Sequence, residues 1–517
     1  MKMNSACWMV LSAAILSVSP SVAATNSCEG LASLALPNTT VTLATPVAAG
    51  ALTLSGPTNQ AGPLALQEVA FKDLPAFCRV AITIKPTADS DIKVEVWMPA
   101  ANWNGKFMAI GNGGWAGSVW YGVMGSPLTR GYATASTDTG HQGLPFDGSF
   151  ALGHPEKLVD FGSRSVHEMT VKAKAIIAAY YGGAPKVSYW NGCSTGGRQG
   201  LMEAQRFPAD FDGIVAGAAA NNWTRLAAQS IWVAQGVDKD EASQIPASKY
   251  PMIHQAVLDA CDALDGVKDG VIENPRRCKF DPKVIQCKGA DAADCLTAAQ
   301  VQSVQRIYTD AINPRTKQLV YPGLEPGTEL AWQVLAGPKP NPISVNYFTY
   351  VVFKNKDWDY KTMNLDSDVA LGEKVDHGTI EATDPNLKPF FAHGGKLLQY
   401  HGWADNQISP RNSVNYYESV LEAMGNPSNL SDSYRLFMIP GLSHCRGGEG
   451  VNSFDSISAM EEWVEKGKAP SQITGSRIVD GKVERTRTLC PYPQVATYLG
   501  SGSTNDAKNF ACRAESK

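Results

Sequence analysis

The sharpest chemical signal in the 517-residue chain is Gly192-Cys193-Ser194-Thr195-Gly196. It lies between the apolar run Val187-Ser188-Tyr189-Trp190 and a helical stretch from Gln199 to Arg206, with Asn191 to Gly197 read as a sharp turn. Glycines two residues either side of a serine allow a strand-to-helix turn tight enough to push the hydroxyl out. The N–H groups opening the next helix then face any negative charge that develops there. The bland alternative is a serine in a Gly-rich turn with no chemistry. A hydroxyl attacks at neutral pH only beside a base, and the base needs an acid to orient it. Of the eight histidines, His444 stands out: it follows the apolar run 434–439 in the loop Pro440-Gly441-Leu442-Ser443-His444-Cys445. Asp405 likewise follows the run 396–400, in His401-Gly402-Trp403-Ala404-Asp405. The 39 residues between them (444 − 405) leave room for one crossover helix and one strand.

The order Ser194, Asp405, His444 is the chain order of the α/β-hydrolases. Cysteines supply an independent check. Cys193 precedes the serine and Cys445 follows the histidine, so bringing Ser194 to His444 also brings two thiols together. They become candidates for one bridge, which would pin base to nucleophile. Closing a loop of ~250 residues contributes up to ~5 kcal/mol in the chain-entropy account. Of 11 cysteines, Cys7 lies in the N-terminal leader, leaving an even ten and no CxxC pair. That pattern reads as disulfides in an exported chain rather than as a zinc or thioredoxin-type site.

A second constellation is Cys261-Asp262-Ala263-Leu264-Asp265-Gly266-Val267-Lys268-Asp269-Gly270-Val271. Three carboxylates among turn glycines suit a hard cation that takes six to eight oxygens, although the spacing is not that of an EF-hand. A solvated acidic loop accounts equally for the same residues.

These residues need elements to hold them. Gly105–Gly111, 131–136, 187–190, 213–217, 396–400 and 434–439 read as strands, and the apolar spacing of Val166, Met169, Val171, Ala175, Ile176 and Tyr180 predicts a helix ending at Gly182-Gly183. The alternation predicts a mainly parallel, helix-covered α/β sheet. From 220 to 388 the pattern changes to Trp/Tyr-rich segments with four cysteines between 261 and 295, read as an inserted lid over the carboxyl edge of the sheet. The domain reading is therefore a signal peptide at 1–24, a catalytic domain at 25–219 and 389–517, and a lid at 220–388. The leader rests on Lys2, the apolar stretch Trp8–Val18, Pro20 and the small-residue site Val22-Ala23-Ala24, so the mature chain is expected to be secreted, periplasmic or extracellular. Net charge −4 gives no field for nucleic acid or an anionic membrane, and no later segment is apolar enough to span a bilayer. No organic cofactor is expected. The sequons at Asn38, Asn222 and Asn429 matter only in a glycosylating host.

Cys-Ser, then Asp, then His-Cys resembles the tannase/feruloyl esterase family of secreted α/β-hydrolases. The resemblance runs from Cys28 to Cys512 and includes Gly192–Arg198, Phe211-Asp212-Gly213-Ile214-Val215-Ala216-Gly217 and Cys490-Pro491-Tyr492-Pro493. It implies an α/β-hydrolase fold with a large inserted lid, and four further bridges: Cys28–Cys78, Cys261–Cys278, Cys287–Cys295 and Cys490–Cys512. It also implies a structural calcium ion in the lid, on the side chains of Asp262, Asp265 and Asp269 and the carbonyls of Val267 and Val271. The N–H of Thr195 is expected as one oxyanion donor, and the resemblance points to Gly114 in the turn 112–117 for the second. His141, after the 131–136 strand, either lines the pocket or belongs to a structural loop. Trp403, Tyr347, Phe348, Tyr350, Trp358 and Tyr360 form either an aromatic acyl pocket or core.

Substrates implied are small esters of aromatic acids from plant cell walls or tannins: hydroxycinnamoyl (feruloyl) esters first, galloyl esters second. The monoester of terephthalate with ethylene glycol comes third, because no Arg occurs from 316 to 410 and Lys354 or Lys356 lacks the planar fork for a free carboxylate. Three rivals remain: a secreted binding protein with an idle triad, a hydrolase whose calcium activates water, and a peptidase or acyltransferase using the same triad.

Overall fold

The computed structural model describes residues 27–54, 69–337, 339–425 and 430–514; the leader and the sequon at Asn429 lie outside them. Seven strands come first: β1 (Thr39–Val47), β2 (Phe77–Ile84), β3 (Ile92–Pro99), β4 (Lys106–Ile110), β5 (Ala133–Thr137), β6 (Val187–Cys193) and β7 (Gly213–Gly217). A short hairpin, β8 (Ala311–Ile312) with β9 (Leu319–Tyr321), precedes β10 (Lys396–Gly402) and β11 (Tyr434–Ile439). Nine of them form one sheet in the order β1-β2-β3-β5-β4-β6-β7-β10-β11. From β5 to β11 every pairing is parallel; β1, β2 and β3 add an antiparallel wing.

The parallel strands are apolar on both faces because helices cover both. On β6, the neighbours Tyr189 and Trp190 point to opposite sides and enter two different cores. Helices α1 (Tyr121–Thr129), α2 (Pro155–Val159), α3 (Ser165–Tyr181) and α4 (Thr195–Arg206) lie between the strands. α3 and α4 bury Val166, Met169, Ile176, Leu201 and Met202 against one face, while α1 and the helix Ser456–Lys466 bury Met124, Leu128, Met460 and Trp463 against the other. α3 stops where Gly182 takes a left-handed φ of 78°.

Between β7 and β10, among the described residues, no strand joins the central sheet. That segment carries α5 (Trp223–Val237) and α6 (Tyr250–Cys261). It leaves and re-enters at a neck closed by one backbone hydrogen bond, Ala382 N–H to Asn221 C=O at 2.9 Å. Its core of Trp223, Ile231, Tyr347 and Phe348 is continuous with Trp115 and Phe161 from the first part of the chain. After β11 come a small sheet, β12 (Ser453–Phe454), β13 (Ile473–Val479) and β14 (Lys482–Leu489), and a hairpin, β15 (Gln494–Tyr498) with β16 (Phe510–Ala514). Five disulfides are formed: Cys28–Cys78, Cys193–Cys445, Cys261–Cys278, Cys287–Cys295 and Cys490–Cys512. Among the described residues no helix is long and apolar enough to cross a membrane.

Two elements differ from expectation. The antiparallel wing β1–β3 is absent from the strand reading. Helix α4 begins at Thr195, so Gly196 and Gly197 belong to a helix rather than a turn. Their role is close packing: a Cβ on Gly197 would stand 2.2 Å from the Gly217 carbonyl oxygen of β7. The next residue, Arg198, is fully buried, and its guanidinium donates to the carbonyls of Gly162, Ile380 and Phe161 at 2.8, 3.1 and 3.2 Å. Burial lowers its pKa to about 10. Truncating it strands three buried carbonyls and leaves a void. Arg198→Ala is expected to lower unfolding free energy by roughly 3 kcal/mol or more, read as a shift of the urea midpoint at unchanged slope.

Candidate active site

Ser194 joins β6 to α4 at φ 63°, ψ −121°, a backbone state that non-glycine residues rarely adopt. Its own peptide groups hold it there: the N–H donates to Gly217 C=O at 3.0 Å, and its carbonyl accepts from Arg198 and Ala220 N–H at 3.0 and 3.2 Å. The turn closes only over glycine at 192, where a Cβ would meet the Gly196 carbonyl oxygen at 2.5 Å.

Asp405 and His444 follow β10 and β11 at the same edge of the sheet. His444 Nε2 lies 3.0 Å from Ser194 Oγ, and His444 Nδ1 lies 2.7 Å from Asp405 Oδ2. Nδ1 therefore carries the proton donated to the carboxylate, and Nε2 is free to accept from the hydroxyl. The Cys193–Cys445 bridge spans 252 residues and joins the neighbours of Ser194 and His444.

Asp405 has no solvent exposure. Its Oδ1 accepts N–H bonds from Gln407 and Ile408 at 2.8 and 3.0 Å, and its Oδ2 also accepts from His401 Nε2 at 3.0 Å. Burial pushes the carboxyl pKa up, but the two histidines outweigh it and hold the group well below the usual carboxylate range. His401 Nε2 faces two acceptors, Asp405 Oδ2 and Ile408 C=O at 3.1 Å, so it carries the proton. Its Nδ1 accepts from Ser413 Oγ at 2.7 Å, which in turn accepts from Gln399 Nε2 at 2.9 Å. Sequence reasoning used His401 only to mark the loop; its signal was the four-residue spacing to Asp405.

The serine opens on a cavity with Gly114 and Thr195 in its wall. Thr195 Oγ1 donates to Gly114 C=O at 2.7 Å, tying the two turns together. As the first residue of α4, Thr195 has an N–H with no intrahelical acceptor. Gly114 has φ 54°, and a Cβ there would clash with Pro145 C=O at 2.1 Å. The apolar wall comes from Trp223, Leu226 and Ala227 of α5, with Ile343 and Ile408.

The aromatic residues singled out from the sequence are not in that wall. Tyr347 and Phe348 lie in the core, Phe348 stacks on Trp358 at 5.6 Å, Tyr350 is half-buried, Tyr360 donates to Asp238, and Trp403 faces other cavities. Trp223 was missed, although it opens the first helix after β7, where the crevice of an α/β sheet lies. His141 lies outside the wall too, stacked on Phe150 at 3.5 Å, and burial lowers its pKa to about 4. Lys354 and Lys356 are exposed and away from the cavity.

In the acidic loop, Asp262 accepts N–H bonds from Asp269 and Gly270 at 3.1 and 2.9 Å, and Asp265 accepts from Val267 N–H at 3.0 Å. Asp269 pairs with Arg485 and Arg487. Asp265, Asp269 and Glu273 face a small cavity beside Val271, away from the Ser194 pocket. Burial raises the Asp265 pKa and the charge of Asp269 raises it further, a surplus of negative charge that a cation relieves. Carboxylate and carbonyl oxygens are the donors a hard cation takes, but Arg485 and Arg487 line the same cavity, and among the described residues the carboxylates of Asp262, Asp265 and Asp269 do not all lie within 4.8 Å of one another.

Two substitutions test this geometry. Asp405→Asn should lower kcat by about 10⁴, by removing the acceptor that fixes the imidazole tautomer. His401→Gln should lower kcat about tenfold at unchanged KM, as one bond to a charged carboxylate is lost. Because Asp405 is held ionised well below the usual carboxylate range, it should contribute no step to the acid limb of kcat/KM in the wild type.

The chain matches the family model described as tannase and feruloyl esterase over residues 78–513. It is 38% identical over 548 residues to an uncharacterized esterase of Xanthomonas campestris pv. campestris, covering 97% of this chain and 93% of that protein. It is 34% identical to a probable feruloyl esterase B-2 of Aspergillus oryzae, covering 94% of this chain and 95% of that one. Among solved structures, feruloyl esterase B from Aspergillus oryzae superposes with a TM-score of 0.86 at 33% identity, covering 94% of this chain and 99% of that chain. Tannin acyl hydrolase from Aspergillus niger shares the fold, with a TM-score of 0.75 at 22% identity over 95% of each chain. The chain is a carboxylic ester hydrolase and belongs to the tannase and feruloyl esterase family.

Proposed function

We propose that the protein is an exported serine esterase acting on esters of aromatic acids, hydroxycinnamoyl esters first. The observation that carries this reading is the unbroken line Asp405–His444–Ser194 opening on an apolar cavity. His444 Nε2 takes the hydroxyl proton as Ser194 Oγ bonds to the ester carbonyl carbon. The resulting oxyanion is held by the N–H groups of Thr195 and Gly114. His444 returns the proton to the alkoxy oxygen, the C–O bond breaks and an acyl-enzyme remains. Water then repeats the sequence in reverse roles and frees the acid.

The names of the similar proteins support feruloyl esters ahead of tannins. Among the described residues lining the cavity none is charged, so the free carboxylate of a terephthalate monoester has no cationic partner there. Five disulfides support export to an oxidising compartment. Asp262, Asp265 and Asp269, with the Val267 and Val271 carbonyls, would hold calcium as a structural ion. It would tie the acidic loop to the C-terminal strands, and no catalytic step passes through it.

Initial rates on methyl ferulate, methyl gallate and mono(2-hydroxyethyl) terephthalate are expected to rank in that order. Ser194→Ala should remove on the order of 10⁴ or more of the rate. Absence of turnover on all three by the folded, disulfide-bonded protein would sink the reading. Chelation with EGTA should lower Tm by several degrees, about 1–2 kcal/mol for a chain this size, while leaving the initial rate at 25 °C unchanged. An immediate loss of rate would instead place the ion in the chemistry.

A further inference from the structure

We infer that Ser230 is the ring-end subsite of the acyl pocket, forming a hydrogen bond with the phenolic oxygen of a 4-hydroxycinnamoyl group. This rests on the serine-esterase reading and adds what that reading leaves open, the feature of the acid that the pocket recognises.

Trp223, Leu226, Ala227 and Ser230 follow the i, i+3, i+4, i+7 spacing of one helix face, and all four line the cavity that holds Ser194. Three are apolar; the fourth carries a hydroxyl. Ser230 is 1% exposed, and its Oγ has no hydrogen-bond partner among the described residues. A buried serine inside a helix ordinarily bonds back to the carbonyl four residues earlier, here that of Leu226, and that bond is not made. The indole N–H of Trp223 in the same wall has no partner either. The α5 face thus sets two unmet polar groups among apolar side chains, in a cavity also lined by Asn341, Ser344 and Gln407, the arrangement of a site built for an oxygen-bearing ligand.

The placement selects the length of that ligand. The start of α5 abuts the nucleophile, since Ala220 N–H bonds to the Ser194 carbonyl at 3.2 Å. Seven residues of helix put Ser230 roughly 10 Å along the axis from Trp223. By ordinary bond lengths, the para oxygen of a hydroxycinnamoyl group lies about 8 Å from its ester carbonyl carbon, and that of a galloyl group about 5.5 Å. The vinyl spacer sets the ring oxygen about 2.5 Å farther from the ester carbon than in a benzoyl-type acid, the reach that the assignment to Ser230 calls for.

The test compares methyl ferulate, methyl cinnamate (no ring oxygen) and methyl gallate on wild type and Ser230→Ala, a change favourable to helix. Wild type is expected to prefer ferulate over cinnamate by about tenfold or more in kcat/KM, since a site built to bond a hydroxyl rejects the analogue lacking it. Ser230→Ala should remove most of that preference by slowing ferulate about tenfold, leaving cinnamate and gallate within about twofold. Equal loss on ferulate and cinnamate, or a wild type that does not separate them, overturns the assignment while leaving the esterase intact. If folded wild type hydrolyses none of the three, the esterase reading fails and this assignment with it.

Discussion

A single negative charge without access to water organises the site. Asp405 is fully enclosed, and an ionised carboxylate in such a place persists only if every lone pair is met. Two backbone N–H groups meet one oxygen, and two imidazoles meet the other. That demand fixes the loop after β10, orients the base on the loop after β11, and brings in a second histidine that itself never approaches the serine. The hydroxyl of Ser194 is only the outer end of a chain of bonds that begins at Gln399 inside the sheet.

Ser194 presents the opposite problem, a strained backbone that must not relax. Ser194 keeps its left-handed φ because three peptide hydrogen bonds over-determine it and because glycines let α4 pack hard against β7. The buried guanidinium of Arg198 extends the same rigidity from α4 to Gly162 and Ile380. Across the gap, the Cys193–Cys445 bridge joins the two loops whose relative position sets the serine-to-histidine distance. Strain at the centre is thus carried by a covalent tie and a helix that cannot shift.

Much of this was legible in the sequence, for identifiable reasons. The parallel strands β4, β5, β6, β7, β10 and β11 are apolar runs bounded by turn residues, and the residues with chemistry stand at their carboxyl ends. The Cys193–Cys445 pair was readable because each cysteine adjoins a reacting residue, so the two must approach once the serine meets its base. The wing β1–β3 was not: β2 and β3 are almost wholly buried and only β1 alternates, but none of the three carries or borders a chemical motif that would draw attention to it. The glycines of α4 read as a turn because propensity reports local freedom and not the nearness of another strand. The pocket wall was misplaced for a similar reason. Aromatic content marked 347–360, but packing sends Tyr347 and Phe348 into the core, and the helix that reaches the cavity, α5, looks ordinary in sequence.

The neck at Asn221 and Ala382 has an evolutionary consequence. Ser194, Asp405 and His444 belong to the parts of the chain outside this neck, while Trp223, Leu226, Ala227, Ser230 and Ile343, which line the cavity, belong to the part inside it. Both ends of the insertion meet at the neck, but it is also bound to the elements that carry the site: Arg198 donates to Ile380 C=O, Asn406 to Ala331 C=O and Ser409 to Gly323 C=O. Changes inside the neck are therefore felt at the loop that holds Asp405 and at the helix that follows Ser194, so the wall and the triad residues are free to vary only together.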